Sequence, residues 1–153
     1  MNKALNINQS TTDEWRKFGF YYDHDDKNGC WRFVGSVSGL FKFCDILDAF
    51  VADPDNKNIS EHQAYGPYQY LQIETWDEPL VDCMTIKGSA EDLTKLSNMI
   101  REKLKTAAVS DQFTINEEYS AKNDYILIFE VKEEGFDPAS ADSMLQDQIK
   151  KAK

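Results

Sequence analysis

The rhythm of apolar and polar residues is clearest between Tyr65 and Leu104. From Tyr68 to Trp76 the side chains alternate, with Leu71, Ile73 and Thr75 on one face and Tyr68, Tyr70, Gln72, Glu74 and Trp76 on the other. A period of two is the mark of a half-buried strand. Trp76-Asp77-Glu78-Pro79 has the composition of a turn, and Val81–Gly88 reads as the returning strand of a hairpin. In that strand Met84 and Ile86 face one way and Val81 and Cys83 the other. A slip of one residue would expose Leu71 and Ile73, so the alternation fixes the register. Ser89 then has the chemistry of a helix N-cap. Glu91 and Asp92 follow in the first turn, and Arg101, Lys103 and Lys105 in the last, each on the side that the helix dipole favours. Leu93, Leu96, Met99, Ile100, Leu104 and Ala107 supply the apolar stripe.

The flanks can be read in the same way. Residues 1–14 are polar and are expected to be loose, or at most to add an edge strand at Leu5–Ile7. Phe18, Phe20 and Tyr22 alternate within a strand expected over Arg16–His24, Asn28-Gly29 offers a tight turn, and Cys30–Val37 returns. Leu40, Phe43, Cys44, Leu47, Phe50 and Val51 keep helical spacing until Asp53-Pro54 stops it. The start of that helix stays open, because Asp45 and Asp48 also allow a shorter one. Asp53–Gln63 is expected to connect without packing. Phe113–Tyr119 and Tyr125–Lys132 predict another hairpin, whose nearly continuous apolar run Tyr125–Val131 marks a central strand covered at least partly on both faces. A last helix is expected from Asp137-Pro138, with a thin apolar face of Met144, Leu145 and Ile149 and a frayed end. The order ββα-ββα-ββα predicts an α+β fold over a single domain, residues 1–153. Its largely antiparallel sheet would hold about six strands, with the helices packed on one face.

Composition narrows the function classes. The 153 residues are 41% hydrophobic and include nine Phe, seven Tyr and three Trp, enough for one real core. No apolar run approaches the roughly 18 to 20 residues of a membrane span, and the opening residues lack a secretory pattern, so a soluble, cytoplasmic protein is expected. The net charge is −10. Such a surface repels phosphate backbones and steers basic proteins towards it. Most of the imbalance lies between Asp111 and Asp142, where nine carboxylates face only Lys122 and Lys132, a net of −7.

Candidate chemistry is sparse. His24 and His62 are the only histidines and both fall in polar segments, so a nucleophile–base pair and a His-rich metal site are both disfavoured. Cys30, Cys44 and Cys83 are odd in number and far apart, against a disulfide framework or a zinc knuckle. The acidic turn from Asp23 resembles a calcium loop only until its spacing is tested. Lys27 falls at the fifth ligand position and Val34 at the twelfth, where a bidentate Glu is required. Glu74, Asp77, Glu78 and Asp82 flank one turn, but a solvated hairpin end accounts for them better than an acid–base pair. No phosphate-binding glycine motif is present. The expectation is a protein with no cofactor, no metal and no catalytic residues.

The run YGPYQYLQIETWDEPLVDCMTIKGSAEDLTKLSNMIREKL, with the later IFEVKEEGFDPASAD, resembles the immunity proteins of bacterial polymorphic toxin systems, nearest to the immunity protein 32 family. The resemblance spans Tyr65 to Asp142. It implies an α+β protein that binds and blocks a toxin made by the same cell, without chemistry of its own. Charge and aromatic content agree with a basic partner held by a few aromatic anchors. The candidate anchors are Tyr65, Tyr68, Tyr70, Glu74, Trp76 and Asp77, with Glu117, Glu118 and Glu130 as acidic support. Neither nucleic acid nor membrane is expected as a partner. The competing expectation is a structural or regulatory module that self-associates, as a homodimer, through a sheet edge or face.

Overall fold

A computed structural model describes residues 3–152, with side chains from Asn8 to Lys151. Its helices are α1 (Lys3–Phe18), α2 (Val37–Ala52), α3 (Ala90–Lys105) and α4 (Ser143–Ala152). Its strands are β1 (Tyr21–Asp25), β2 (Cys30–Ser36), β3 (His62–Tyr65), β4 (Leu71–Thr75), β5 (Leu80–Val81), β6 (Thr85–Gly88), β7 (Gln112–Ile115) and β8 (Ile126–Lys132). The α+β class holds, but the single six-stranded sheet does not. The strands form two four-stranded sheets, ordered β1-β2-β8-β7 and β3-β4-β6-β5. Each has a parallel central pair, β2 with β8 and β4 with β6, flanked by antiparallel neighbours.

Local chemistry explains why each strand forms where it does. Asp25 closes the β1–β2 hairpin by accepting from the backbone N–H groups of Lys27 and Asn28 and from the Asn28 amide, and Gly29 supplies φ +64°. Both hairpins expected at the ends of the chain are present, since β1 pairs with β2 and β7 with β8, each antiparallel. The hairpin expected across Trp76–Pro79 is not. The segment from Leu80 to Gly88 folds back on itself, because the Asp82 carboxylate accepts from Met84 N and Thr85 N at 2.9 and 2.8 Å. Val81 thereby pairs with Ile86, both buried, while Cys83 and Met84 are left exposed at the tip. The antiparallel partner of β4 is instead β3, from a segment expected to be only a connector. Nor is that connector unpacked. Pro54–Asn56 form a 3-10 turn whose buried Asn56 donates to Phe50 O at 3.0 Å, accepts from Gln63 Nε2 at 3.3 Å and takes the Thr75 hydroxyl on its carbonyl.

The helix expectations fared unevenly. Ser36 caps α2 by accepting from Gly39 N at 3.0 Å, which places its start ahead of both alternatives and keeps Leu40, Phe43, Cys44, Leu47 and Phe50 inside. Ser89 and Asp92 form a reciprocal capping box on α3. The N-terminal segment, however, is neither loose nor an edge strand: residues 3–14 belong to α1, while Met1 and Asn2 lie outside the described residues. Over the part whose side chains are described, from Asn8 onward, its buried residues are Asn8, Thr12 and Trp15, spaced as successive turns of a helix. Phe18 ends that helix instead of alternating along a strand. Gly19, at φ +96°, terminates it with its N–H on Trp15 O at 3.0 Å. Asp137-Pro138 begins only a 3-10 turn, Pro138–Ala141, and α4 runs from Ser143 to Ala152, with Lys153 outside the described residues.

The core is one cluster. Phe113, Phe129 and Phe33 stack at 4.8 and 4.9 Å across three strands, and Phe43 from α2 closes on Phe33 at 4.6 Å. Central β8 buries Leu127, Phe129 and Val131 and half-covers Ile126 and Ile128. The helices pack in two groups. α2 packs against α3, where buried Ser97 donates to Cys44 O at 3.3 Å and Arg101 reaches Asp45 and Asp48 at 2.9 and 2.7 Å. The second group is α1 with α4 and the Pro138–Ala141 turn, which touches β1 and β2.

Candidate functional site

The nine residues expected to meet a partner have different local surroundings. Glu130 projects from β8 onto Arg32 at 2.9 Å, and the same guanidinium holds Asp23 through two bonds of 3.0 and 2.9 Å. Glu117 and Glu118 are exposed on the β7–β8 connection, where Glu118 accepts from Asn116 N at 3.0 Å and stands 4.0 Å from Lys103. Trp76 carries Lys87 Nζ 5.0 Å from its ring centre, Glu74 is half-buried between His62 and Lys87 on the neighbouring strands, and Asp77 is exposed in the turn. Tyr65 is half-buried and takes the Tyr22 hydroxyl on its carbonyl. Tyr68 and Tyr70 are the two that line one concavity together.

They converge on residues from distant parts of the chain. Tyr21, Tyr22, Asp23 and His24 from β1, Tyr68 and Tyr70 from the β3–β4 loop and Met144 from α4 line a concavity of about 190 Å³. Tyr70 and Met144 are each 52% exposed there, two of the large apolar side chains the described surface leaves open. The Tyr68 and Tyr70 rings lie 5.6 Å apart at 30°, and the His24 ring stands nearly perpendicular to Tyr70 at 6.3 Å. His24 also packs on Trp31 at 4.9 Å and places Nδ1 2.8 Å from Asp26. Asp26 in turn accepts from the Tyr125 hydroxyl at 2.5 Å. Trp31 donates to Asp82 O at 2.8 Å, which ties the exposed Cys83–Met84 tip to the same face.

A buried carboxylate holds this arrangement from behind. Asp142 is 1% exposed and accepts from Trp15 Nε1 at 2.9 Å, from the Tyr68 hydroxyl at 2.5 Å and from Leu145 N at 3.1 Å. It is the cap of α4 and the clamp between α1, the β3–β4 loop and α4. Sequence reasoning missed Asp142, His24, Asp26, Tyr125 and Met144. One signal was present: Asp142 stands three residues before Leu145, the spacing of a helix cap.

Electrostatics follows the burial. The Tyr22 and Tyr65 phenols are each pushed up to about 12 by removal from water. Burial also raises Tyr21, Tyr68 and Tyr119, helped in Tyr21 by the Asp23 charge and in Tyr68 by its bond to Asp142. Tyr125 rises to about 12 because its hydroxyl donates to Asp26, and the same bond, with the one to His24, lowers Asp26. A phenol that ionises near 10 when unfolded but later when folded contributes stability that is complete below that pH. That contribution is lost as pH rises from about 10 through 12. Denaturant midpoints measured across this range are therefore expected to fall steadily with pH. In the native protein, absorbance of the buried phenolates is expected to rise only together with unfolding. A flat midpoint up to pH 12 would contradict the assignment.

The thiols of Cys30 and Cys44 are buried and pushed up by burial, Cys44 to about 11, which keeps them protonated. Among the described residues no three His, Cys, Asp or Glu side chains are grouped to hold a metal ion, and no helix is long and apolar enough to cross a membrane. The Tyr70 face offers ring faces, a thioether and carboxylates, a combination suited to groups that carry positive charge on an apolar stem. No protein-family model, curated protein or solved structure matches this chain.

Proposed function

We propose that this chain is a non-enzymatic, cytoplasmic immunity-type protein, which binds a basic toxin of the same bacterial cell and neutralises it by occupying its surface. The observation that carries the reading is the pairing of half-exposed Tyr70 and Met144 on one concave face beside Asp23 and Asp26, in a chain of net charge −10. Large rings and methionine are the side chains from which interface hot spots are built, and the surrounding charge speeds encounter with a cationic partner. The resemblance over Tyr65–Asp142 supplies the class of partner. The anchors of the reading are now Tyr68 and Tyr70, with Met144 and His24. Tyr65, Glu74, Trp76, Asp77, Glu117, Glu118 and Glu130 lie apart from that concavity.

The test is expression of the chain with the product of the adjacent reading frame, scoring both rescue of growth and complex formation. Rescue is expected, with an association rate that falls as salt rises. The Tyr70→Ala/Met144→Ala double variant is expected to weaken the complex by about thirtyfold or more, the effect of losing a hot spot. Sedimentation of the chain alone decides the competing possibility. A salt-insensitive homodimer that is broken by the same double substitution would replace toxin binding with self-association.

A further inference from the structure

The concavity also specifies which chemical group it accepts. We propose that the notch between Tyr68, Tyr70, His24 and Met144 is a guanidinium site, filled by one arginine side chain of the basic partner. That the arginine belongs to a protein rests on the function proposed above. The affinity of the notch for a guanidinium does not.

Three observations carry the assignment. The first is size. A concavity of about 190 Å³ is below the roughly 300 to 1,000 Å³ of a site for a whole small molecule, and it suits a single side chain. The second is the lining. Of the three larger surface grooves, two mix signs, one setting Lys17 and Lys42 beside Glu14 and Asp45, the other Lys95 and Lys103 beside Asp92 and Glu102, and the third, beside Asp53, brings together no stacked pair of rings. No lysine or arginine lines the notch. The third is ring electronics. The Tyr68 and Tyr21 hydroxyls donate to the carboxylates of Asp142 and Asp23, which pushes electron density into rings whose faces already carry the negative end of a quadrupole.

Asp23 is engaged by Arg32 through two bonds, so it is not free to form a full new ion pair. The incoming cation is therefore received mainly by ring faces. This favours arginine over lysine, because a planar guanidinium stacks on an aromatic ring and is less strongly hydrated than an ammonium. Its methylene stem would lie along the Met144 thioether.

The experiment titrates acetyl-Gly-Arg-Gly-amide and its uncharged citrulline isostere into the full chain, following the Met144 methyl resonance. The expected result is a saturable shift with the arginine peptide, with binding on the order of millimolar for so small a contact, and no comparable shift with citrulline. Tyr70→Ala should weaken binding about three- to fivefold while Tyr70→Phe, which keeps the ring, retains it. Tyr70 is exposed and makes no side-chain hydrogen bond among those described, so neither change threatens the fold. Equal shifts with citrulline, or an arginine affinity indifferent to Tyr70→Ala, would overturn the guanidinium site. If that happens while the adjacent gene product still binds, the docking function survives without the notch. Saturable arginine binding in a chain with no basic partner leaves the notch standing and removes the function.

Discussion

Asp142→Ala is expected to lower the stability of the protein by about 3 kcal/mol, because it strands two buried donors and unclamps a third at once. The Trp15 indole N–H and the Tyr68 hydroxyl both point at one carboxylate oxygen, and the other oxygen caps α4 through Leu145 N. The Trp15 indole and Leu145 N have no water to turn to, since Asp142 and Leu145 are each 1% exposed and Trp15 is fully buried, whereas part-buried Tyr68 loses its anchor. For a domain of this length the loss corresponds to a melting temperature about 10 °C lower, read by circular dichroism. Asp142→Asn keeps the shape and one acceptor, but turns an amide N–H2 towards groups that are themselves donors, so it is expected to recover only part of the loss. A melting temperature for Asp142→Ala within about 2 °C of the parent would show that the clamp contributes little. The same substitution releases Tyr68 and the start of α4, and with them Met144, so it should also weaken arginine binding.

Gly66→Ala is expected to cost a similar amount, about 3 kcal/mol, for two separable reasons. Gly66 opens the β3–β4 loop at φ +87°, a conformation that an L side chain adopts only with strain. A methyl there would also stand 2.5 Å from Tyr22 Cε2 and 2.6 Å from its hydroxyl oxygen. Tyr22 cannot step aside, because it is buried and its hydroxyl is held between Tyr65 O and Leu71 N. Gly135 provides the internal control. Its φ is +90°, yet a methyl there meets no atom within 4 Å. Gly135→Ala should therefore show the backbone penalty alone, about 1 kcal/mol. Equal denaturant midpoints for the two variants would mean that the Tyr22 contact relaxes at no cost.

The elements that could be read from the chain were those whose signals lie within a few residues. The Ser89 cap, the stripe from Leu93 to Leu104, the α2 face from Leu40 to Phe50 and the buried set Leu71, Ile73 and Thr75 all appear as expected. Each depends on a cap or a period, and both are local. The N-terminal helix escaped because, from Asn8 onward, two of its three buried residues are the polar Asn8 and Thr12, so hydrophobicity there carried no rhythm. The glycine that ends it was visible at position 19 but has meaning only once the helix is known. The false hairpin at Trp76–Pro79 arose because alternation reports which face a side chain takes and says nothing of which strand lies alongside.

By itself the sequence determined the α+β class, the position of α2, α3, β2, β4 and β8, and the inward faces of α2, α3 and β4. Tertiary structure alone decided that two mixed sheets form, and that Tyr70, His24 and Met144, up to 120 positions apart, line one concavity. The physical reason is range. Caps, turns and amphipathic periods are stabilised by neighbours along the chain, whereas strand partners and a shared surface depend on how buried groups such as Asp142 and Tyr22 are satisfied by segments remote in sequence.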